Sequence, residues 1–254
     1  MITTSTATLK FSDATTQAKL QGLLAELQRQ GYPVSKVFSL SLPSGWSCPG
    51  ATDCLSKADR VTGKITDGPN TLYRCFAATM EARSPQLRAA VWHNFDQLRA
   101  AKTREAITAL ILDSIPAKAA GQVVRIHVGG DMYSQAYMGA WIDVARARPD
   151  IIWYAYTKSI HHWAKLGALP DNLIFTASEG GRFDHLIGDR KRAVVVYHPE
   201  EAAKRGLDID HDDTHAAVGR ESFALLLHGT QPKGSAAAAA KKRLTDEKVR
   251  FSYS

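Results

Sequence analysis

The sequence VVRIHVGGD at residues 123–131 decides the fold, because an apolar strand pattern ends there in two glycines and an acid. A helix pattern follows at residues 135–146, where apolar residues recur at helical spacing. An apolar strand, a glycine-containing turn and an amphipathic helix together make one βα unit of a parallel sheet. The stretch therefore predicts an α/β protein.

The same order of strand and helix recurs along the chain. Strand patterns occur at residues 36–43, 123–128, 151–157, 173–178, 193–198 and 223–228. They are continuous apolar runs rather than alternations, which is typical of parallel strands that helices cover. Six βα units can form an open sheet or a partial barrel, and we expect a partial (βα)6 TIM-like barrel. Either arrangement places the active site at the carboxyl ends of the strands.

The length of 254 residues allows one large α/β domain, and no shift in composition divides the chain. We predict a single domain, with an N-terminal helical extension at residues 1–35 and the barrel at residues 36–250. Further helix patterns lie at residues 15–30, 72–82, 85–101 and 104–115. Residues 44–70 are predicted to form a long loop, and loops of this length inside a compact domain are usually functional or disordered.

Composition limits the class of protein and its partners. With 44% hydrophobic and 22% charged residues, the chain is neither a disordered tail, a collagen nor a coiled coil. No run of 18 apolar residues and no signal-peptide pattern occur, so we expect a cytoplasmic protein without a membrane partner. The net charge of +7 fits a nucleotide or nucleic-acid partner, or solubility alone.

Three cysteines, Cys48, Cys54 and Cys75, have the spacing C-x5-C-x20-C. A zinc ribbon is excluded, because there is no CxxC pair and no fourth cysteine. Three thiolates on a glycine- and proline-containing loop suit a metal site that keeps one position open, such as an iron–sulfur cluster. The alternative is that they are free thiols in the core.

The predicted strand ends supply further candidate residues. Candidates for cofactor binding are Gly129, Gly130, Asp131 and Ser178, and candidates for catalysis are Glu179, His198 and His228. The two acidic candidates also have simpler explanations. Asp131 can cap the following helix, and Glu179 can form an ion pair. The segment DIDHDDTH at residues 208–215 can hold a cation or form a solvated loop.

Three cysteines after the first strand and a glycine–glycine–acid motif after the second strand resemble the radical S-adenosylmethionine (SAM) enzymes. The resemblance implies a [4Fe–4S] cluster on Cys48, Cys54 and Cys75. It also implies that Gly129, Gly130 and Asp131 bind the amino group of the methionine part of SAM. The cysteine spacing differs from the CxxxCxxC motif that is usual in those enzymes.

At the level of the whole chain, six segments look like the phage-encoded gene product 88 family. They are SGWSCPGATDC, YRCFAA, RIHVGGDMYSQAYMGAWIDVA, YAYTKS, TASEGG and GTQPKGS, from about residue 36 to about residue 241. This resemblance implies a phage or prophage origin and the host cytoplasm as the setting, rather than a particular reaction.

The sequence therefore predicts an iron–sulfur enzyme of radical SAM type that acts on a nucleotide or a nucleic-acid base. One alternative is a zinc or metal-free enzyme similar to a base transglycosylase, with Asp131 and Glu179 as its pair of carboxylates. Another is a non-enzymatic phage factor that binds DNA or a host protein.

Overall fold

The computed structural model describes residues 8–249. Its strands are β1 (Ser12–Asp13), β2 (Val37–Leu40), β3 (Ser56–Ala58), β4 (Ile65–Asp67), β5 (Val123–Ile126), β6 (Ile152–Thr157), β7 (Leu173–Ser178), β8 (Arg192–Val196) and β9 (Phe223–Leu226). Its helices are α1 (Gln21–Arg29), α2 (Phe76–Arg83), α3 (Pro85–Ala101), α4 (Arg104–Ser114), α5 (Gln135–Ala147), α6 (Ile160–Trp163), α7 (Pro199–Lys204), α8 (Thr214–Ala217) and α9 (Ala236–Asp246). None of the helices in this part of the chain is long and apolar enough to cross a membrane.

Seven strands form one sheet in the order β1-β2-β5-β6-β7-β8-β9. Six of these strands, β2, β5, β6, β7, β8 and β9, are parallel and are arranged in the sheet in chain order. The predicted α/β class with a mostly parallel sheet is therefore confirmed. The edge strand β1 pairs antiparallel with β2 and was not predicted, because two residues carry no periodicity.

One face of the sheet is covered by α3, α4 and α5. Phe38 and Leu40 of β2, together with Val124 and Ile126 of β5, belong to the same buried cluster as Trp141 of α5. These strand residues are two apart in each strand, and alternate residues of a strand point to the same face. This cluster is the largest apolar core of the described chain.

The opposite face is covered near its amino-terminal edge by α1 and α8. Leu23 and Leu24 of α1 belong to one buried cluster with Val37, Val123 and Tyr154, which are the alternate residues of their strands. Both faces of the sheet are therefore buried, which explains why the strands are continuous apolar runs. Toward the carboxyl ends of the strands, this second face borders a cavity.

The structure corrects the prediction for residues 44–70, which are not a loop throughout. The short strands β3 and β4 pair antiparallel there, with Ser56 opposite Asp67. Each has three residues, so neither shows a recognisable strand pattern. The first, second, fifth and sixth predicted parallel strands also extend too far at their carboxyl ends. The observed strands β2, β5, β8 and β9 end at Leu40, Ile126, Val196 and Leu226.

Candidate functional site

A cavity of about 160 Å³ opens at the carboxyl ends of the parallel strands. Its floor is formed by Arg125, Tyr156, Val195 and Leu225, which come from four different strands. Each lies two residues beyond one of the inner-face core residues Val123, Tyr154, Ala193 and Phe223. Leu225 belongs to that same cluster, and Tyr156 and Val195 pack against it, so the cavity floor is continuous with the core that α1 and α8 cover.

The structure brings most of the candidate residues to this cavity. The three cysteines line it from loops on one side. Candidates from the strand ends that line it are Gly129, Gly130, Asp131, Ser178 and His228. The parallel register explains this convergence, because the carboxyl ends of parallel strands meet at one edge of the sheet.

The three thiols come from two separate parts of the chain. Cys48 and Cys54 lie between β2 and β3, and Cys75 is the residue immediately before α2. Burial raises the pKa of Cys75 to about 12, and burial together with Asp131 and the other two thiols raises the pKa of Cys48. All three are free thiols. Within residues 8–249, no group of three or more His, Cys, Asp or Glu side chains is placed to hold a metal ion.

Glu81 of α2 fastens the cysteine-bearing loop to the helix that follows Cys75. Its Oε1 accepts hydrogen bonds from the backbone nitrogen of Ser44 at 2.8 Å and from Ser44 Oγ at 2.5 Å. The Glu81 side chain is buried, and burial raises the pKa of its carboxyl group. One carboxyl group thus fixes the start of the loop that carries Cys48 relative to the helix beside Cys75.

Asp131 joins the ends of β5 and β6. Its Oδ1 accepts from Thr157 Oγ1 at 2.6 Å and from the Met132 nitrogen at 2.7 Å, and its Oδ2 accepts from the Lys158 nitrogen at 2.9 Å. Burial raises the pKa of this carboxyl group, against the lowering effect of those hydrogen bonds. The cap of α5 is Ser134, whose side chain accepts from the Tyr137 nitrogen. Asp131 is therefore not the helix cap that its position in the sequence also suggested.

Position 130 requires glycine for two reasons. Its φ of +90° lies in the left-handed region that favours glycine. A Cβ at this position would lie 2.6 Å from Leu42 Cβ and 2.7 Å from Ser47 Oγ. The close approach brings the turn after β5 against the beginning of the cysteine loop.

Lys158 connects the ends of β6 and β7 from inside the protein. Its Nζ donates to Ser178 O at 3.1 Å and Ser178 Oγ at 2.9 Å, and also to Glu179 O. Lys158 is buried and lines the cavity. The ammonium group fixes Ser178 at the cavity wall.

Arg125 is a cavity residue that the sequence analysis did not select. Its Nη1 lies 2.5 Å from Asp213 Oδ2, and both side chains are buried. Tyr154 and Tyr156 also donate to Asp213, over 2.8 and 3.3 Å. Asp213, which belongs to the acidic segment considered for cation binding, is instead the counter-ion of Arg125. The available signal was an arginine at the centre of an apolar strand pattern, where a charge needs a buried partner.

Two of the three catalytic candidates lie outside the cavity lining. The Glu179 carboxylate is 3.5 Å from Arg205 Nη1 and 3.9 Å from Arg192 Nη1. His198 accepts from the Glu200 nitrogen through Nδ1 as the cap of α7, and its Nε2 is 2.7 Å from Glu247 Oε2. The structure thus gives both residues structural contacts, and it does not place Glu179 in the cavity beside Asp131.

His228 remains at the cavity. Its Nδ1 is 3.1 Å from Leu226 O, and because a carbonyl oxygen only accepts, Nδ1 carries the proton. Burial lowers the pKa of His228 to about 4, so the ring is neutral near pH 7 and Nε2 is its acceptor nitrogen. The ring centroid lies 4.7 Å from that of Phe76. An aromatic pair therefore forms part of the cavity wall.

Comparison with known proteins identifies a family and two relatives of this chain. The profile of the family described as "Gene product 88" matches residues 7–247. Two proteins, each named "Gene 88 protein", from Mycobacterium phage L5 and Mycobacterium phage D29, are each 30% identical over 128 residues. That alignment covers 47% of this chain and 47% of each relative, so it spans about half their length. No solved structure matches the chain. Because the family profile spans nearly all of the described residues, the chain belongs to the Gene product 88 family.

Proposed function

We propose that this protein is an iron–sulfur enzyme of radical SAM type that acts on a nucleotide or a nucleic-acid base. One observation carries the proposal. The three cysteines and the Gly129–Gly130–Asp131 motif come from separate parts of the chain and line the same cavity. Hydrophobic packing alone gives no reason for all three thiols of a chain to converge on a glycine-rich turn.

The donor set fits a cluster with three protein ligands. Three thiolates leave one iron of a [4Fe–4S] cluster open for a small molecule. Cys48, Cys54 and Cys75 would hold such a cluster, which is larger than the single metal ion for which no group of three side chains is placed within residues 8–249. The raised pKa values of Cys48 and Cys75 describe protonated, buried thiols, and cluster binding would displace those protons.

The turn after β5 fits the recognition of an amino acid moiety. Gly129 and Gly130 let the backbone approach a ligand closely. Among the described residues, Asp131 Oδ2 accepts one hydrogen bond, from the Lys158 nitrogen, and it retains acceptor capacity for an ammonium group. Ser178, held by Lys158, offers a hydroxyl at the same wall. When bound, a cluster with SAM supplies the one-electron chemistry that begins hydrogen abstraction from a substrate.

The other end of the cavity fits a planar, partly apolar substrate group. Phe76 and His228 provide an aromatic wall, and Leu225 and Leu227 provide apolar contacts. The positive net charge of the chain favours a phosphate-containing substrate.

The sheet topology supports the finer description as a partial (βα)6 barrel of radical SAM type. Six parallel strands in chain order are the arrangement of β/α barrels, whose active sites lie at the carboxyl ends of the strands. Among the described strands, β1 and β9 are the two edges of the sheet. We therefore interpret the sheet as an incomplete barrel with its cavity at the mouth.

Metal analysis after anaerobic purification tests the proposal. We expect roughly four iron and four sulfide atoms per chain, and a broad absorption band at about 400 nm. Cys48→Ser, Cys54→Ser and Cys75→Ser should each lose nearly all of the iron, because three ligands hold one cluster as a unit. Asn70→Ala changes an exposed residue in the same region and should retain the iron. A colourless, iron-free preparation made without oxygen would overturn the proposal.

A further inference from the structure

Outside the cavity, the exposed Trp46 packs against the partly buried Trp92 beside the cysteine loop. Trp46 is 46% exposed, and its ring centroid lies 5.6 Å from that of Trp92. Trp46 Nε1 donates to Ala58 O at 2.9 Å. The ring is therefore anchored at one edge while nearly half of the residue is in solvent.

Two cations lie against these rings. Lys57 Nζ is 4.7 Å from the centroid of Trp46, and the Arg60 guanidinium is 4.8 Å from that of Trp92. Arg60 and Trp92 also line a surface cavity of about 470 Å³, in which Asp96 is the one acid among the described lining residues. We call this region the Trp46–Trp92 surface, which consists of Trp46, Lys57, Arg60, Val61, Trp92 and His93.

We propose that the Trp46–Trp92 surface binds single-stranded nucleic acid, so that the substrate is a base within a polynucleotide rather than a free nucleotide. Proteins that bind single strands stack bases on aromatic side chains and contact phosphates with nearby cations. Both elements are present here, on a chain with a net charge of +7. This inference rests on the proposed function for the chemistry that follows binding.

The surface is continuous with the proposed site through the cysteine loop. Trp46 is two residues before Cys48, and the Gly45 nitrogen donates to Cys48 Sγ at 3.3 Å. The same loop thus carries an exposed ring on the surface and a thiol in the cavity. A strand bound on the surface would lie within one loop of the cavity, where a neighbouring base could enter.

The charges on the Trp46–Trp92 surface determine how strongly the affinity for a single strand should depend on salt. Arg60 is paired with Asp96 at 2.6 Å, so its charge is partly compensated. Lys57 and Arg60 together would contact about two phosphates, for which a single strand gives a slope of log K against log salt near −1.4. Trp46 is the residue to change, because its substitution removes the exposed ring for stacking and leaves the charge of the surface unaltered.

Binding of a fluorescently labelled oligodeoxythymidylate to the full chain, measured by anisotropy, tests the inference. We expect Trp46→Ala to weaken binding on the order of tenfold, which matches the loss of one stacked base. Tyr32→Ala is the matched control, because Tyr32 is 47% exposed and lies before the amino end of β2. Its affinity should equal that of the unaltered protein.

Lys57→Gln provides a second variant if Trp46→Ala reduces the melting temperature. It should retain most of the stacking and reduce the salt slope by about 0.7. No binding of the oligonucleotide by the unaltered protein overturns the inference, and so does an equal loss in Trp46→Ala and Tyr32→Ala. Self-association that Trp46→Ala abolishes, without oligonucleotide binding, would show a protein-docking surface instead and also overturn it.

Iron and sulfide are measured on the same samples, so the two proposals can fail separately. An iron-free protein that binds the oligonucleotide through Trp46 would overturn the proposed function and retain the nucleic-acid surface. An iron-containing protein without this binding would do the opposite.

Discussion

At the scale of single residues, Arg125 and Asp213 show how a charge is kept beneath the cavity. Burial alone raises the pKa of Asp213, but Arg125, Lys19 and the two tyrosine hydroxyls outweigh it and hold that pKa below its usual value. The carboxylate is therefore ionised in the folded protein near neutral pH. Removing it would take away the carboxylate that lies 2.5 Å from the buried Arg125 guanidinium.

We predict that Asp213→Asn lowers the free energy of unfolding at pH 7 by about 3–5 kcal/mol, the usual loss when one partner of a buried pair is removed. Asparagine tolerates the left-handed φ of +66° at this position, so backbone strain adds little. Because the folded pKa is depressed, the stabilisation is complete above about pH 4 and is lost as pH falls through the folded pKa. Urea unfolding at a series of pH values measures both effects, and the variant should show the shallower acid decline.

The control for this substitution is Asp143→Asn, which removes a partly exposed partner of Arg104. The two groups lie 2.6 Å apart, but their side chains are 38% and 33% exposed. An exposed pair contributes less than about 1 kcal/mol, so this variant should remain close to the unaltered protein. Equal stability of the two variants would show that Asp213 does not compensate a buried charge.

At the scale of secondary-structure elements, α2 and the cysteine loop depend on each other through Glu81. We predict that Glu81→Ala makes the thiols react with an alkylating reagent about tenfold faster. The reason is that the Ser44 nitrogen loses its acceptor, and an unsatisfied buried donor costs about 1–3 kcal/mol, which favours local opening of the loop.

Glu26→Ala on α1 is the control for this effect, because Glu26 pairs with Arg29 on the surface. Its thiol reactivity should equal that of the unaltered protein. If Glu81→Ala behaves in the same way, the loop is held by contacts other than Glu81. Global unfolding is distinguished by measuring urea stability in the same buffer.

Elements with a strong local signal were predicted closely from the sequence. The bounds of α3 agree with the predicted residues 85–101, since Ser84 caps the helix through its side chain and Pro85 occupies the first turn. The elements that were missed, β1, β3, β4 and α8, have two to four residues each. Such short elements form because of tertiary contacts, which leave no periodicity in the sequence.

At the scale of the whole molecule, the parallel sheet explains which candidate residues were found. The rule that function lies at the carboxyl ends of strands brought Gly130, Asp131 and Ser178 to one cavity. It failed to separate Ser178 from Glu179, because neighbouring residues at a strand end point to opposite sides. Arg125 was missed since its partner, Asp213, is 88 residues away and only the folded chain shows the pair.

The packing of α1 against the sheet gives the last prediction. Leu23 is fully buried between α1 and the inner face, in the cluster that also contains Leu225 of the cavity floor. Leu23→Ala should lower the free energy of unfolding by about 2–5 kcal/mol, because it removes buried methyl groups and leaves a void. Leu72→Ala, at a residue that is 60% exposed, should change it by less than about 0.5 kcal/mol. If urea unfolding gives both variants the same stability, α1 is an appendage of the sheet and the cavity floor does not depend on it.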